Sequence, residues 1–428
     1  MSKVVAKRYY RIEFTFASAL SIGSGENSNS DKDLLLNRNG DPYIPASSLA
    51  GIYRSKLTDE EAKRYLGFVP IETGSSESTD QPIIESELAV YDAELYKGTP
   101  VISIRDGIKV DKYKTAITGS KFDYEILEPG CTFITYVEHS KLADSENIFD
   151  KIVPYILSGE ISIGGKTTRG LGSIKDSKVK YVEFSLENDE LENWLNFDMY
   201  DDEYWLENGK DIKDETATEN GISIKLTIKQ NSFLSVREYR TDTDAERSLP
   251  DYQQMEYSSL EGYNPVIPGS SWNGLFRHYL EMNNCSNVEE LFGDAGHKSK
   301  VTFSETLLKD AKTKIISRNS IDRFTGGTVD AALFTEKTCY GGSGSLEIKL
   351  PPYNEKYRNE YLKIFEAIAD LHAGLLAIGG LTAVGHGLFE IEEIRINGKP
   401  IDCEMQPENI YNALIANITK EDGSYEQH

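Results

Sequence analysis

Two stretches of this sequence, PYIPASSLAGIYR from Pro42 to Arg54 and PVIPGSSWNGLFR from Pro265 to Arg277, are near-copies of one another. Aligned, they read P-x-I-P-x-S-S-x-x-G-x-x-R, so seven of the thirteen positions are identical. The copies lie roughly half of the 428-residue chain apart. A repeat of that period predicts two large related domains.

The order of residues in each copy predicts a helix start that can bind an anion. Prolines stiffen the chain before the helix, a serine pair then offers the N-cap, and an apolar run begins the helix itself. Backbone N–H groups at a helix N-terminus attract phosphate, and the arginine adds a positive charge. The alternative is a capped core helix with a surface arginine. We predict phosphate-backbone contacts at Ser47, Ser48, Arg54, Ser270, Ser271 and Arg277.

Cysteine usage and hydropathy favour a reduced, cytoplasmic protein. The four cysteines lie far apart without a C-x-x-C pair, and nothing at the N-terminus resembles a signal peptide. No segment approaches the ~20 apolar residues of a membrane helix. We therefore expect a cytoplasmic localisation and no membrane partner.

The net charge of −24 opposes simple binding of nucleic acid, which normally requires a basic face. Half of it lies in residues 183–219, which hold fourteen acidic residues and two lysines. The rest of the chain is still acidic. We therefore expect weak RNA binding by the isolated chain and positive surface supplied by partners.

Each half of the chain opens with an alternating strand pattern. In residues 9–16 the apolar side chains at positions 12, 14 and 16 share one face and polar side chains occupy the other, which predicts a half-buried strand. Residues 222–228 repeat the pattern. A long loop then leads to the Pro/Ser helix in both halves, over residues 21–39 and 231–263, and loops of this length are typically functional or disordered.

A further repeated block aligns without a gap over residues 110–130 and 321–341. Each copy has an Asp near its start, a Glu fourteen residues later and a Gly five residues beyond. The second copy, RNSIDRFTGGTVDAALF over residues 318–334, adds a Gly pair and two arginines that could approach an RNA backbone, Arg318 and Arg323. The alternative is a turn with solvated charges.

Glycine-rich elements follow a helix pattern near the end of each half, as ISIGGKTTRGLG (residues 161–172) and LAIGGLTAVGHGLF (residues 376–389). Such turns expose backbone N–H groups that can cradle a phosphate. No Gly-Lys-Ser/Thr follows, so neither element is a P-loop. The candidate contacts are Gly164, Gly165, Lys166, Arg169, Gly379, Gly380 and His386.

The order strand, helix, two strands, helix, strand occurs twice, which predicts an α+β fold of tandem ferredoxin-like (RNA-recognition-type) domains with long loop insertions. We place the domains at residues 1–185 and 221–428. The acidic residues 186–220 between them include large aromatic side chains, which favours a docked insertion with a short helix over pure disorder.

These elements together resemble the RAMP (repeat-associated mysterious protein) superfamily, specifically the backbone subunits of type III CRISPR effector complexes. The resemblance covers both halves and is carried by the two Pro/Ser helix starts, Leu291–Gly293 (LFG), Ile321–Gly327 (IDRFTGG) with ALF after it, and the Gly-rich elements. Two fused copies look like the double backbone subunits of some type III variants.

The resemblance implies a subunit that binds crRNA while an extended loop kinks the guide–target duplex, with target RNA and other effector subunits as partners. It also implies an Asp in the loop after the first strand that supports cleavage of target RNA with Mg²⁺ or another divalent cation. Asp31 fits that position better than Asp33. In the second half Asp251 is the nearest match, with Asp242 and Asp244 as alternatives. Asp31 and Asp251 would thus be the metal ligands.

Two alternatives remain open at this point. One is a crRNA-processing endonuclease of the same superfamily, with His278 after Arg277 as general base or acid. Ser55 stands at the matching position of the first half, which weakens this alternative. The other is a scaffold subunit without catalytic activity. The sequence has no HD pair and no GGDD or GGDEF motif, which excludes the polymerase subunit.

Overall fold

The computed structural model describes residues 3–25, 30–70, 82–109, 111, 117–186, 190–213, 221–238, 250–259, 262–294 and 296–421. Contacts divide the chain into two compact units. The first unit comprises Met1–Ser103, Glu125–Gly165 and Gly172–Thr218, and the second comprises Ile104–Tyr124, Lys166–Leu171 and Glu219–His428. Two short stretches of the first sequence repeat therefore pack within the second unit.

The first half of the chain contains eight strands and five α-helices in its described residues. They are β1 (Val4–Phe16), α1 (Ala46–Arg54), α2 (Asp59–Tyr65), β2 (Leu88–Val90), β3 (Glu94–Lys97), β4 (Ile102–Gly107), β5 (Phe122–Leu127), β6 (Thr132–Leu142), α3 (Val153–Leu157), β7 (Ile174–Ser185), α4 (Leu191–Leu195), α5 (Asp202–Asn208) and β8 (Lys210–Asp211).

The first unit has the ferredoxin-like arrangement that the sequence predicts. Its sheet has the order β2-β6-β1-β7-β8, and β1 pairs antiparallel with both β6 and β7. One face of β1 packs into the core with α1, through side chains that are almost fully buried: Tyr10, Ile12, Phe14, Phe16, Leu49 and Tyr53.

Burial alternates over residues 12–16 as predicted for a half-buried strand, but the other face of β1 is covered at Tyr9 and Arg11, where the prediction is wrong. The Trp194 indole donates a hydrogen bond to the Tyr9 hydroxyl at 2.9 Å, and Trp205 of α5 is fully buried. Arg11, which the pattern placed in solvent, is buried and forms an ion pair with Asp202 at 2.7 Å. The described part of the acidic insertion is thus docked on the sheet through α4 and α5, and the prediction of a docked insertion is confirmed.

The second half contains twelve strands and four α-helices in its described residues. They are β9 (Ile222–Gln230), β10 (Arg237–Glu238), β11 (Tyr252–Gln254), β12 (Glu256–Ser259), β13 (Gly262–Ile267), α6 (Gly269–Met282), α7 (Val288–Phe292), β14 (Thr302–Phe303), β15 (Thr306–Leu307), β16 (Lys312–Ile321), β17 (Thr328–Tyr340), β18 (Ser343–Leu350), α8 (Arg358–His372), β19 (Phe389–Ile396), β20 (Lys399–Pro400) and α9 (Pro407–Glu421).

The second unit repeats the ferredoxin-like order as β14-β18-β9-β19-β20, with α6 and α8 between its strands. Here β9 alternates between buried and more exposed side chains, as predicted for a half-buried strand. The apolar spacing of α8 is also confirmed, because Tyr361, Ile364, Phe365 and Ile368 are all buried. None of the helices in the described ranges combines the length and apolar character that a membrane span requires.

Candidate nucleic-acid interface

The two Pro/Ser helices begin at least two residues earlier than the sequence suggested. The N-cap residues are Pro45 and Pro268, and neither helix has a side-chain cap. The expectation that a serine caps each helix is therefore wrong, because both serines of each pair already lie in the first helical turn. Ser47 and Ser270 keep exposed side chains, whereas Ser48 and Ser271 are half-buried.

Protein oxygens already lie at both helix starts. The N–H group of Ala46 donates a hydrogen bond to Asp92 Oδ1 at 2.6 Å. At the start of α6, a Cβ atom on Gly269 would lie 2.3 Å from the carbonyl oxygens of Arg169 and Phe303, so the backbones pack too closely for any side chain. A carboxylate at one helix start and packed carbonyls at the other reduce the space for a phosphate.

The arginines of the motif bind backbone carbonyls. Arg54 Nη2 donates to the carbonyl oxygens of Leu66 and Gly67 at 3.1 and 2.9 Å, just after α2. Arg277 Nη1 donates to the carbonyl oxygen of Gly293 at 2.8 Å, just after α7. Each arginine thus satisfies the carbonyls at the end of the next short helix, a role that the sequence analysis did not predict.

The two Gly-rich loops have nearly identical backbones. Gly164 and Gly379 have φ values of +91° and +88°, and the N–H groups of Gly165 and Gly380 each donate to a serine carbonyl oxygen at 2.7 Å. These N–H groups are therefore occupied within the protein. The glycines are required because a Cβ atom would clash with backbone oxygen atoms or force a left-handed conformation on a bulkier residue.

The basic residues of the first loop differ in their surroundings. Lys166 lies over the rings of Phe122 and Tyr124, and Arg169 is exposed. Gly170 is buried in the second unit, where a Cβ atom would lie 2.5 Å from the backbone nitrogen of Glu305. This part of the first loop is packed against protein.

The second loop instead borders an open cavity of about 980 Å³. Lys314 and Arg318 of β16 line one side of it, and His386 of the loop lines another. The rings of Phe233 and Tyr340 contribute an aromatic wall, with centroids 5.4 Å apart. Two cations beside partly exposed aromatic rings are suited to a phosphate backbone and its bases.

Arg318 and His386 belong to separate sequence motifs, and the structure brings them together. Arg318 Nη2 lies 2.5 Å from His386 Nε2, and His386 Nδ1 lies 2.8 Å from the Ser235 hydroxyl. His386 is only 3% exposed. Burial, and then the charge of Arg318, lower the pKa of His386 below its ordinary value.

Lys314, Phe233, Tyr340 and Ser235 were missed by the sequence analysis. A usable signal was present for Lys314, because the pattern KTKIISR from Lys312 to Arg318 places basic side chains at alternate positions of a strand. No local signal marked the aromatic pair, since Phe233 and Tyr340 come from distant parts of the chain.

The β16–β17 hairpin projects exposed apolar side chains at its far end. Phe324 is 91% exposed and Leu333 is 65% exposed. The tip is a tight turn in which Asp322 accepts hydrogen bonds from the N–H groups of Phe324 and Thr325 at 3.0 and 2.7 Å, and these bonds lower the pKa of its carboxyl group. Arg323 is exposed on the same turn.

The candidate catalytic carboxylates have different surroundings. Asp33 is buried, and its Oδ1 accepts hydrogen bonds from the Ser30 N–H and hydroxyl at 2.8 and 3.1 Å. Asp251 Oδ2 accepts from the Thr335 N–H at 2.6 Å. Asp31 is exposed. Asp242 and Asp244 lie outside the described residues.

These surroundings decide how well each carboxylate fits a divalent cation. No group of three or more His, Cys, Asp or Glu side chains that could hold a metal occurs within the described ranges. An ion would therefore depend on one carboxylate together with water and RNA oxygens. Asp31 is exposed to solvent, whereas Asp33 is buried and accepts two hydrogen bonds from Ser30 of its own loop.

His278 and His372 both lie outside the cavity. His278 lies half-buried in α6. His372 binds the Met405 carbonyl oxygen through Nε2 at 2.9 Å, and its Nδ1 accepts from the Ile391 N–H at 3.0 Å. Both ring nitrogens of His372 are thus occupied by backbone groups.

Two ferredoxin-like domains in one chain, each with a Pro/Ser helix, an inserted hairpin and a Gly-rich loop, define a tandem-repeat protein. The RAMP superfamily model matches residues 13–175 and 252–390. The chain therefore belongs to the RAMP superfamily, and the two matched regions correspond to the two repeats.

Other similarities are more distant. Vitellogenin-3 and vitellogenin-4 of Caenorhabditis elegans are each 24% identical to this chain over 186 residues, a match that covers 40% of this chain and 11% of each vitellogenin. A chain from the cryo-EM structure of the Type III-B Cmr-beta bound to cognate target RNA is 16% identical, with a TM-score of 0.31 and coverage of 41% of this chain and 61% of that chain. Neither likeness carries an argument about function.

Proposed function

We propose that this chain is a crRNA-binding backbone subunit of a type III CRISPR interference complex, located in the cytoplasm, which holds the guide–target duplex. The observation that carries the proposal is the cavity of the second unit, where Lys314 and Arg318 face an aromatic wall beside the Gly-rich loop. Membership of the RAMP superfamily in both repeats supports an RNA ligand.

The hairpin supplies the second part of the proposed interaction. An exposed aromatic side chain at the end of a two-stranded ribbon can wedge between stacked bases, at a cost of a few kcal/mol that backbone contacts offset. Phe324 is the most exposed large apolar side chain in the described residues and stands at the tip of the β16–β17 ribbon. We assign it the contact that distorts the duplex.

The acidic balance of the chain determines how this proposal is tested. The isolated chain should bind short RNA poorly at ~0.15 M salt, because its net charge of −24 opposes phosphate. Co-expression with a crRNA array and the neighbouring effector subunits should yield an RNA-loaded particle. Loss of that RNA from a variant with Lys314→Ala and Arg318→Ala, with the particle intact, is the expected result. Full RNA loading of that variant would contradict the proposal.

The proposed function includes metal-dependent cleavage of the target RNA, with Asp31 as the carboxylate of the first site. Asp31→Ala in the assembled complex should remove one cleavage product while guide and target binding stay unchanged. EDTA should remove all products, since a divalent cation would activate the attacking 2′-hydroxyl and stabilise the transition state. Gel analysis of end-labelled target RNA measures both effects.

Substitutions at the other candidate carboxylates distinguish the proposed role of Asp31 from the roles of Asp33 and Asp251. Asp33→Asn keeps an oxygen that can accept the Ser30 hydrogen bonds, and it should leave the product pattern unchanged. Asp251→Ala tests the second site, where the bond to Thr335 favours a structural role. A product pattern unaffected by Asp31→Ala would favour a scaffold subunit without catalytic activity. Loss of crRNA maturation in His278→Ala would favour the processing endonuclease.

A further inference from the structure

His386 makes two hydrogen bonds that define its protonation state. Arginine can only donate hydrogen bonds, so the Nε2 atom that faces Arg318 Nη2 must be the acceptor. The proton of a neutral imidazole then lies on Nδ1, which donates to the Ser235 hydroxyl at 2.8 Å. The imidazole is therefore a neutral bridge between Ser235 and the guanidinium of Arg318.

The surroundings maintain this neutral state. Burial and the Arg318 charge keep the pKa of His386 below its ordinary value, Arg237 acts in the same direction, and Glu336 acts against it. Arg237 and Glu336 form an ion pair with each other at 3.0 Å, which limits the effect of either charge on the ring. At neutral pH His386 thus presents a lone pair to Arg318.

The loop fixes the position of the ring. The Gly387 N–H donates to the Phe233 carbonyl oxygen at 2.7 Å, and the Gly380 N–H donates to the Ser235 carbonyl oxygen at 2.7 Å. Ser235, whose hydroxyl accepts the hydrogen bond from His386 Nδ1, is thus also bound to the loop backbone through its carbonyl oxygen. At 3% exposure, His386 has almost no surface with which to contact RNA itself.

The first repeat provides an internal control for this arrangement. Leu171 lies at the position of His386 between Gly170 and Gly172, and it is buried in a loop of the same backbone geometry. When the gap-free alignment of residues 110–130 with 321–341 is extended by three residues, Gly107 falls at the position of Arg318. The histidine and the arginine are therefore both present in the second repeat and both absent from the first, although the loop folds in either case.

We propose that His386 is a positioning residue that holds the Arg318 guanidinium toward the cavity, where its remaining N–H groups bind a phosphodiester of the RNA. The cavity beside it is lined by Lys314, which adds a second cation, and by Phe233, against which an adjoining base can stack. This inference rests on the proposed function, since it deepens the assignment of the cavity to RNA.

The test uses the co-expressed RNA-containing complex and compares four variants: Arg318→Ala, His386→Leu, His386→Gln and the double variant Arg318→Ala with His386→Leu. Leu is the residue that the first loop uses, so His386→Leu should fold. RNA affinity is measured by competition with labelled RNA of the guide sequence. His386→Leu and Arg318→Ala should each weaken binding roughly tenfold, the scale of one charge-assisted hydrogen bond.

Two further comparisons distinguish a role of His386 in positioning Arg318 from a purely structural role. The double variant should bind no more weakly than Arg318→Ala alone, because the histidine acts through the arginine. His386→Gln should recover most of the affinity, since a glutamine side chain can accept a hydrogen bond from Arg318 and donate one to Ser235. A purely structural role of the ring would not give this rescue.

The outcomes separate this inference from the function on which it rests. Unchanged affinity in His386→Leu, or a further loss when it is added to Arg318→Ala, would overturn the positioning role while leaving the cavity as an RNA site. Unchanged affinity in both Arg318→Ala and Lys314→Ala would overturn the assignment of the cavity to RNA. Thermal unfolding of each variant complex shows that the comparison is made between folded proteins.

Discussion

The two Gly-rich loops share a backbone and differ in almost everything else. Gly170 and Gly385 have φ values of +86° and +87°, yet Gly170 is buried against Phe303 and Glu305 while Gly385 is exposed beside the cavity. The first loop has basic side chains and a buried leucine, whereas the second has apolar side chains and a buried histidine. The repeated glycines thus determine geometry, and the packing partners determine which chemistry the geometry can serve.

The strongest test of this comparison is an alanine at each of these two glycines. Gly385→Ala should cost about 1 kcal/mol of stability, because it forces a left-handed conformation with nothing within 4 Å of the new Cβ. Gly170→Ala should cost about 3 kcal/mol or more, because its Cβ would also lie 2.5 Å from a backbone nitrogen. Urea denaturation monitored by tryptophan fluorescence measures both. Equal costs would mean that the two loops are packed alike.

A second test compares one lysine near each loop. Lys314→Ala should lower the slope of log affinity against log salt by about 0.7, the value for one phosphate contact with single-stranded nucleic acid. Lys166→Ala should change that slope less, because Lys166 lies over two aromatic rings. The measurement is RNA binding by the assembled complex at several salt concentrations. A larger change for Lys166→Ala would place the main phosphate contact at the first loop.

The smallest expected effect is a difference in acid stability. Unfolding restores the ordinary pKa of His386, about 6.5, so the unfolded chain binds a proton that the folded chain binds only at lower pH. The corresponding stabilisation is fully present above about pH 6.5 and is lost as the pH falls through the folded pKa.

His386→Leu removes this titration, as the leucine of the first loop does naturally. The unfolding temperature of the variant should therefore fall less than that of the wild type between about pH 7.5 and about pH 5. His139, whose pKa is lowered to about 4 mainly by burial, remains in both proteins and cancels in the comparison. Parallel curves would show that folding does not lower the pKa of His386.

Local patterns in the sequence predicted the elements of this fold because each pattern reflects a single strand, helix or turn. The alternation in β9, the apolar spacing of α8 and the paired glycines are of this kind. They predicted the ferredoxin-like order in both halves.

The sequence could not predict partners that only the folded chain brings together. Arg54 and Arg277 were assigned to phosphate, but they bind the carbonyls that follow α2 and α7. A repeated Gly after each of these helices, Gly67 and Gly293, was a usable sign that both arginines have the same partner. The burial of His386 had no such sign, because it depends on β16 and on the loop at Ser235.

The docked acidic insertion has one further consequence for recognition. Domains of the RNA-recognition type commonly stack bases on the open face of their sheet. In the first unit that face of the sheet is buried, because Trp205 of the acidic insertion packs with Tyr136 and Phe184. Over the described residues, this part of the sheet therefore offers no open face on which bases could stack.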